Sequence, residues 1–212
     1  MSLPAPLMMY LFGDEALPST ADHQGWMDER VRIRIPCSTR EVSWPKLAAH
    51  ILAAAMWQAR RDGLLMIHIE ETKRRFFGTK RTTTLLPGTT PSEPDRWQLV
   101  IWKAINSTTS RPSLKGIANA LDLWDPDRLT SSSGHTLRRV QWEAHERGFL
   151  REAPPTEEVG HPINDPTADC AAIDAHRDEG RRFAQEWAYF RDVESMLHDA
   201  LLDAASFATS TR

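Results

Sequence analysis

Cysteine is nearly absent from this 212-residue chain, which has only Cys37 and Cys170. They lie far apart and form no CxxC pair, so they offer no disulfide framework and no zinc spacing, and a reducing, cytoplasmic setting is expected. Long hydrophobic runs are missing too. None approaches the roughly 18 apolar residues of a membrane-spanning helix. The opening MSLPAPLMMYLFGDE has no basic stretch ahead of a short apolar run interrupted by prolines, so neither a signal peptide nor a membrane anchor is expected. An excess of one charge is also lacking: the net charge is -3 and the isoelectric point about 6.2. That excludes a protein that coats nucleic acid wholesale, and leaves anion binding to a local patch.

Catalytic signatures are absent as well. There is no GxSxG, HExxH, GxGxxG or phosphate-binding P-loop, and the eight histidines are scattered without metal-ligand spacing. His135 and His145 share a predicted helix but lie ten residues apart, on different turns. The adjacent carboxylates Glu70 and Glu71 point to opposite faces of a strand and cannot act as an acid and base pair. The expectation is a non-enzyme with no cofactor and no metal.

What is present is a helical pattern interrupted by hairpins. VRIRIP alternates like a short strand stopped by Pro36. SWPKLAAHILAAAMWQARRDGLL predicts a long helix with Ser43 as its cap, Pro45 in the first turn, Gly63 as its stop and an alanine-rich stripe for close packing. LLMIHIE continues as a strand that folds back through Gly78 into TKRTTTLLPG, a β-hairpin over residues 65–87. PDRWQLVIWKAI, RPSLKGIANAL and HTLRRVQWEAHERG predict three helices, and GFL after them completes a winged-helix-like order. Residues 153–169, rich in Pro, Glu and Asp, read as a surface loop. A final helix is expected over 170–212, with Phe183, Trp187, Phe190, Leu197 and Leu201 on its apolar face and a frayed end. The fold class is mainly α: a helical core over residues 1–152, with winged-helix-like elements and one or two β-hairpins.

Three basic groups are candidates for binding. Lys73, Arg74, Arg75, Lys80 and Arg81 converge on the hairpin tip, where they attract phosphates of lipid or nucleic acid, and Phe76 and Phe77 are placed to enter a bilayer interface or stack on a base. The plainer alternative is that one phenylalanine packs inward and the charges only solubilise the hairpin. Arg60 and Arg61 end the long helix, where cations complement the helix dipole. Arg138 and Arg139 lie where a recognition helix would contact DNA, and a solvated helix face accounts for them equally well. The tryptophans read as core, except that Trp44, at a helix start beside a basic residue, is placed to border a headgroup site.

The succession LMMYLFGDE, LAAHILAAAMWQARRDGLLMI, RPSLKGIANAL, LRRVQWEAHERGFLRE and HPINDPTAD resembles, in the same order over roughly residues 5–172, the Golgi phosphoprotein 3 family in its bacterial form. The resemblance implies a non-enzymatic, mostly helical protein. Eukaryotic members bind phosphatidylinositol 4-phosphate and carry the cytosolic tails of glycosyltransferases. It also implies a lipid pocket in which Trp44 stands for the family's tryptophan and Arg138 and Arg139 for the arginines of the later helix. The pocket's remaining arginine falls at His50 or Ile51, and APPTEEVG replaces the family's membrane-inserting hairpin. The expected function is an adaptor at an anionic membrane surface or in a protein assembly, with homo-oligomerisation compatible. The alternatives are a winged-helix DNA-binding regulator and an accessory subunit of a larger complex.

Overall fold

The structure is a computed structural model, and it describes residues 3–18, 32–74, 78–89, 92–106, 112–123, 134–154 and 162–210. It is mainly α, with two separate two-stranded antiparallel sheets among the described residues. The helices are α1 (Ala5–Leu11), α2 (Gly13–Ala16), α3 (Trp44–Arg61), α4 (Arg96–Ile105), α5 (Leu114–Leu123), α6 (Gly134–Glu146), α7 (Cys170–Asp174), α8 (Arg177–Val193) and α9 (Ser195–Ser210). The strands are β1 (Arg32–Arg34), β2 (Glu41–Ser43), β3 (Leu65–Arg74) and β4 (Gly78–Pro87).

The long helix α3 is the axis of the core. Its alanines (48, 49, 53, 54, 55 and 59) are all buried, and the short side chains let α1, α4, α5, α6 and α9 pack around it. Pro45 sits in its first turn, where the missing N–H costs nothing. Its far end closes through Gly63, at φ +75, with Leu64 N–H donating to Ala59 O at 2.9 Å and Gly63 N–H to Arg60 O at 3.0 Å. This double bond pattern satisfies carbonyls the helix leaves open and turns the chain into β3. The same pattern recurs at the end of α6, through Gly148 and Phe149.

The short apolar run near the start is a core helix: all seven residues of α1 are buried. Such a helix must have its loose backbone groups met by protein. Gln58 of α3 accepts from Ala5 N–H at 2.7 Å, Glu179 of α8 accepts from Leu3 N–H at 3.0 Å, and Pro6 has no N–H to satisfy. Just beyond α1, Phe12 lies against Gly180 of α8, where an added Cβ would come within 2.5 Å of the ring.

Three expectations are corrected. The chain from residue 170 is not one helix but α7, α8 and α9, broken at Glu194 (φ -108, ψ 43). A straight helix over residues 170–212 would run about 65 Å. The break instead lets Trp187 and Phe190 pack on Trp57 while α9 folds back along α3 and α5. GFL does not form a strand of a wing; Leu150 makes a single bridge to Ala168. Finally, Cys37 and Cys170 are joined in a disulfide across 133 residues of sequence. Spacing hid this pair because the fold, not the local chain, brings the turn after β1 against the start of α7. The argument for a reducing compartment drawn from two unpaired thiols therefore falls.

Within the surface segment, residues 162–169 are fastened as a strap. Gln141 of α6 accepts from Ile163 N–H at 2.9 Å and donates to Ile163 O at 2.8 Å, and Arg34 N–H donates to Asn164 O at 2.8 Å. Arg34 also pairs with Asp165 at 3.2 Å.

Candidate anion-facing surface

The β3–β4 hairpin is ten residue pairs long, in register from Leu65 opposite Pro87 to Arg74 opposite Gly78. At about 3.3 Å per residue, each strand extends roughly 30 Å. Only its root is in the core. Leu65 and Leu85 are buried, Ile67 and Ile69 pack partly against the core, and the root adjoins α3 and α4. Since side chains alternate, the opposite face carries Met66 and Leu86, directly paired and 52% and 50% exposed, with His68 beyond them.

Charge is segregated along the hairpin. Glu70 and Glu71 occupy its middle, and every charged residue from Thr72 to Arg81 is a cation. By register Lys73 stands opposite Thr79, Lys80 opposite Thr72, and Arg81 opposite Glu71. Arg81 thus shares its register pair with a glutamate, and the other cations of the segment are Lys73, Arg74, Arg75 and Lys80. Arg75, Phe76 and Phe77 lie outside the described residues, and of the others named here at the tip only the strand positions are described.

The other site candidates lie elsewhere. Trp44 begins α3 and is 8% exposed, its ring part of the core, so it is not placed as a headgroup platform. It is separated from the hairpin root by the length of α3, about 26 Å. Arg139 is half-buried and tied to a neighbouring helix: its guanidinium donates to Leu121 O near the end of α5 and lies 5.7 Å from the Trp97 ring centroid. Beside it Trp97 donates its indole N–H to Glu143 at 3.0 Å. Arg138 is half-buried on the same helix. The would-be recognition helix thus turns Thr136, Leu137, Val140, Gln141 and Ala144 inward and ties its second arginine to α5.

Arg60 and Arg61 do more than complement a helix dipole. Arg60 bridges to Glu194 at 2.7 Å, Arg61 bridges to Glu186 at 2.7 Å, and Arg61 lies 4.8 Å from the Trp57 ring centroid. With Tyr189 and Phe190 they line a shallow cleft of about 450 Å³ between α3 and α8. Its two cations are already met by two carboxylates, so it offers no net charge to an anion.

Among the described residues no group of three His, Cys, Asp or Glu is arranged to hold a metal, and no helix is long and apolar enough to cross a membrane. His145 Nδ1 lies 3.1 Å from Leu150 O, a contact that steadies the turn after α6. Burial is the main cause of the displaced pKa values of Tyr10, His50, Asp95 and His198, whereas Arg177 and Asp192 owe theirs first to hydrogen bonds with Asp174 and Arg191. His50, on α3, is lowered to about 4 by desolvation, His198 is lowered for the same reason, and Asp95 is raised. Asp95 belongs to a capping box with Gln98 at the start of α4, and Gln98 donates to Asp62 at 2.8 Å.

No family model, curated protein or solved structure matches this chain.

Proposed function

We propose that this protein is a non-enzymatic binding protein that docks on an anionic phospholipid surface through the tip of the β3–β4 hairpin. The observation that carries the reading is the hairpin's form. A ten-pair ribbon rooted in the core at one end carries, beyond Glu70 and Glu71 in its middle, a segment over residues 72–81 whose charged residues are all cations. Near an anionic membrane each such cation contributes about 1 kcal/mol, and the contribution falls with salt. This is the class of function that the resemblance to the Golgi phosphoprotein 3 family implies, with contact moved from a Trp and Arg pocket to the hairpin. The proposed role is that of an adaptor in a peripheral position on a membrane. The Cys37–Cys170 bond makes the compartment testable, because thiols open such bonds in a reducing one.

Co-sedimentation with phosphatidylcholine vesicles, with and without phosphatidylserine, tests the reading against a variant with Lys73, Arg74, Arg75, Lys80 and Arg81 all changed to Ser. Pelleting that requires the anionic lipid, falls with salt and is lost in the variant supports it. Absence of pelleting at low salt overturns it, and a partner protein or DNA then becomes the ligand to seek.

A further inference from the structure

We propose that the Cys37–Cys170 disulfide is a solvent-accessible clasp, opened by thiol–disulfide exchange, that locks the strap 162–169 and the adjoining α7 onto the fold. The two ends of the bond are held very differently. Cys37 sits in the turn between β1 and β2 with a left-handed φ of 56. That turn is built into the core, since Ile33, Ile35 and Val42 are buried. Arg40 anchors it further, donating to the carbonyls of Asp14 and Leu17 at 2.9 Å and of Pro18 at 2.7 Å. Cys170, by contrast, is exposed at the first position of α7, in a segment where Asn164, Asp165, Thr167 and Ala171 are exposed too. Apart from the disulfide, the strap is held by hydrogen bonds to Gln141, Arg34, Phe149 and Arg151, by the buried Pro162, Pro166 and Ile173, and by Ala168 and Ala172, which pack partly against the core.

Exposure of Cys170 sets the direction of the chemistry. The thiolate of a dithiol reductant attacks Sγ of Cys170, the S–S bond breaks, and Cys37 leaves as a thiolate that takes up a proton. The second thiol of the reductant then displaces Cys170 from the mixed disulfide. Two electrons pass from the dithiol to the protein, leaving two cysteine thiols and a cyclic disulfide. Because the β1–β2 turn is anchored without the bond, the strap is the part that is released.

The test uses the full chain in three forms: oxidised, treated with dithiothreitol without denaturant, and a Cys37→Ser, Cys170→Ser double variant. Thiol titration is expected to find both thiols released under native conditions. Peptide-level hydrogen exchange is expected to rise about tenfold or more over residues 162–176, with α1, α3 and the β1–β2 turn unchanged. The double variant is expected to match the reduced protein without reductant. Release of thiols only after denaturant is added overturns the accessible clasp. Unchanged exchange on reduction overturns the locking role. A rise throughout the chain means that the bond staples the whole fold and not the strap. If the double variant does not fold, the comparison of oxidised and reduced wild-type chain decides alone.

Discussion

Gln141 treats Ile163 as one strand treats its neighbour: its side-chain amide both accepts from Ile163 N–H and donates to Ile163 O, at 2.9 and 2.8 Å. The same Nε2 lies 3.2 Å from the hydroxyl of Tyr10, which is fully buried and whose pKa burial raises. A side chain in the middle of α6 thus replaces the ladder that the strap lacks. Replacing it with a residue of similar volume and no amide leaves a backbone N–H and a carbonyl under-satisfied. We expect Gln141→Leu to lower stability by about 2–4 kcal/mol. Urea unfolding gives the value, and a midpoint within error of the wild type would show that water replaces the amide.

Phe12 and Gly180 form a contact that excludes any side chain at 180. A Cβ there meets Cγ of Phe12 at 2.5 Å, closer than packed carbon atoms approach. Despite alanine's better helix propensity, Gly180→Ala is expected to cost about 1–3 kcal/mol through overpacking. In a double-mutant cycle with Phe12→Leu, the two losses are expected to be less than additive, because the smaller residue removes the clash. Additive losses would place the cost elsewhere in α8.

His50 couples stability to pH. Its folded-state pKa is about 4, against an ordinary 6.5, because burial disfavours the charged ring; Nδ1 remains 2.8 Å from Lys46 O. Between those values the unfolded chain binds more protons than the folded one. The stabilisation is therefore complete above pH 6.5 and is lost as pH falls toward 4, by up to about 3 kcal/mol. His198, also lowered, adds in the same direction. Unfolding midpoints at pH 7.5, 6 and 5 are expected to fall less for His50→Gln than for the wild type. Parallel curves would remove His50 as the cause.

Arg139 is expected to matter for stability and not for anion binding. Arg139→Gln loses the cation over Trp97 and weakens the bond to Leu121 O, at a cost of about 1–2 kcal/mol. Vesicle binding per folded molecule is expected to stay as in the wild type. Loss of binding with unchanged stability would return α6 to the site.

The reach of sequence reading here follows how local each cause is. Gly63, Gly148 and Pro45 act within one turn, so the ends of α3 and α6 were legible. Hairpin 65–87 was legible from its turn and alternation. Glu194 carries no such mark: neither Gly nor Pro stands there, and the break at 194 answers to what α8 and α9 pack against. Trp44 and Arg139 were reasonable site candidates because aromatic and basic residues make binding surfaces. Periodicity does not say that one ring lies in the core and that one guanidinium reaches a neighbouring helix end.

By itself the sequence determined the mainly helical class, the alanine-rich axis and the gathering of cations at residues 73–81, because helix propensity, turn chemistry and charge order act between near neighbours. Tertiary structure alone decided that the N-terminal apolar helix is wholly buried, that Gln141 serves as a strand partner and that Cys37 meets Cys170. Each of these joins parts of the chain distant in sequence, whose proximity comes from burying many apolar faces at once and is written in no local pattern.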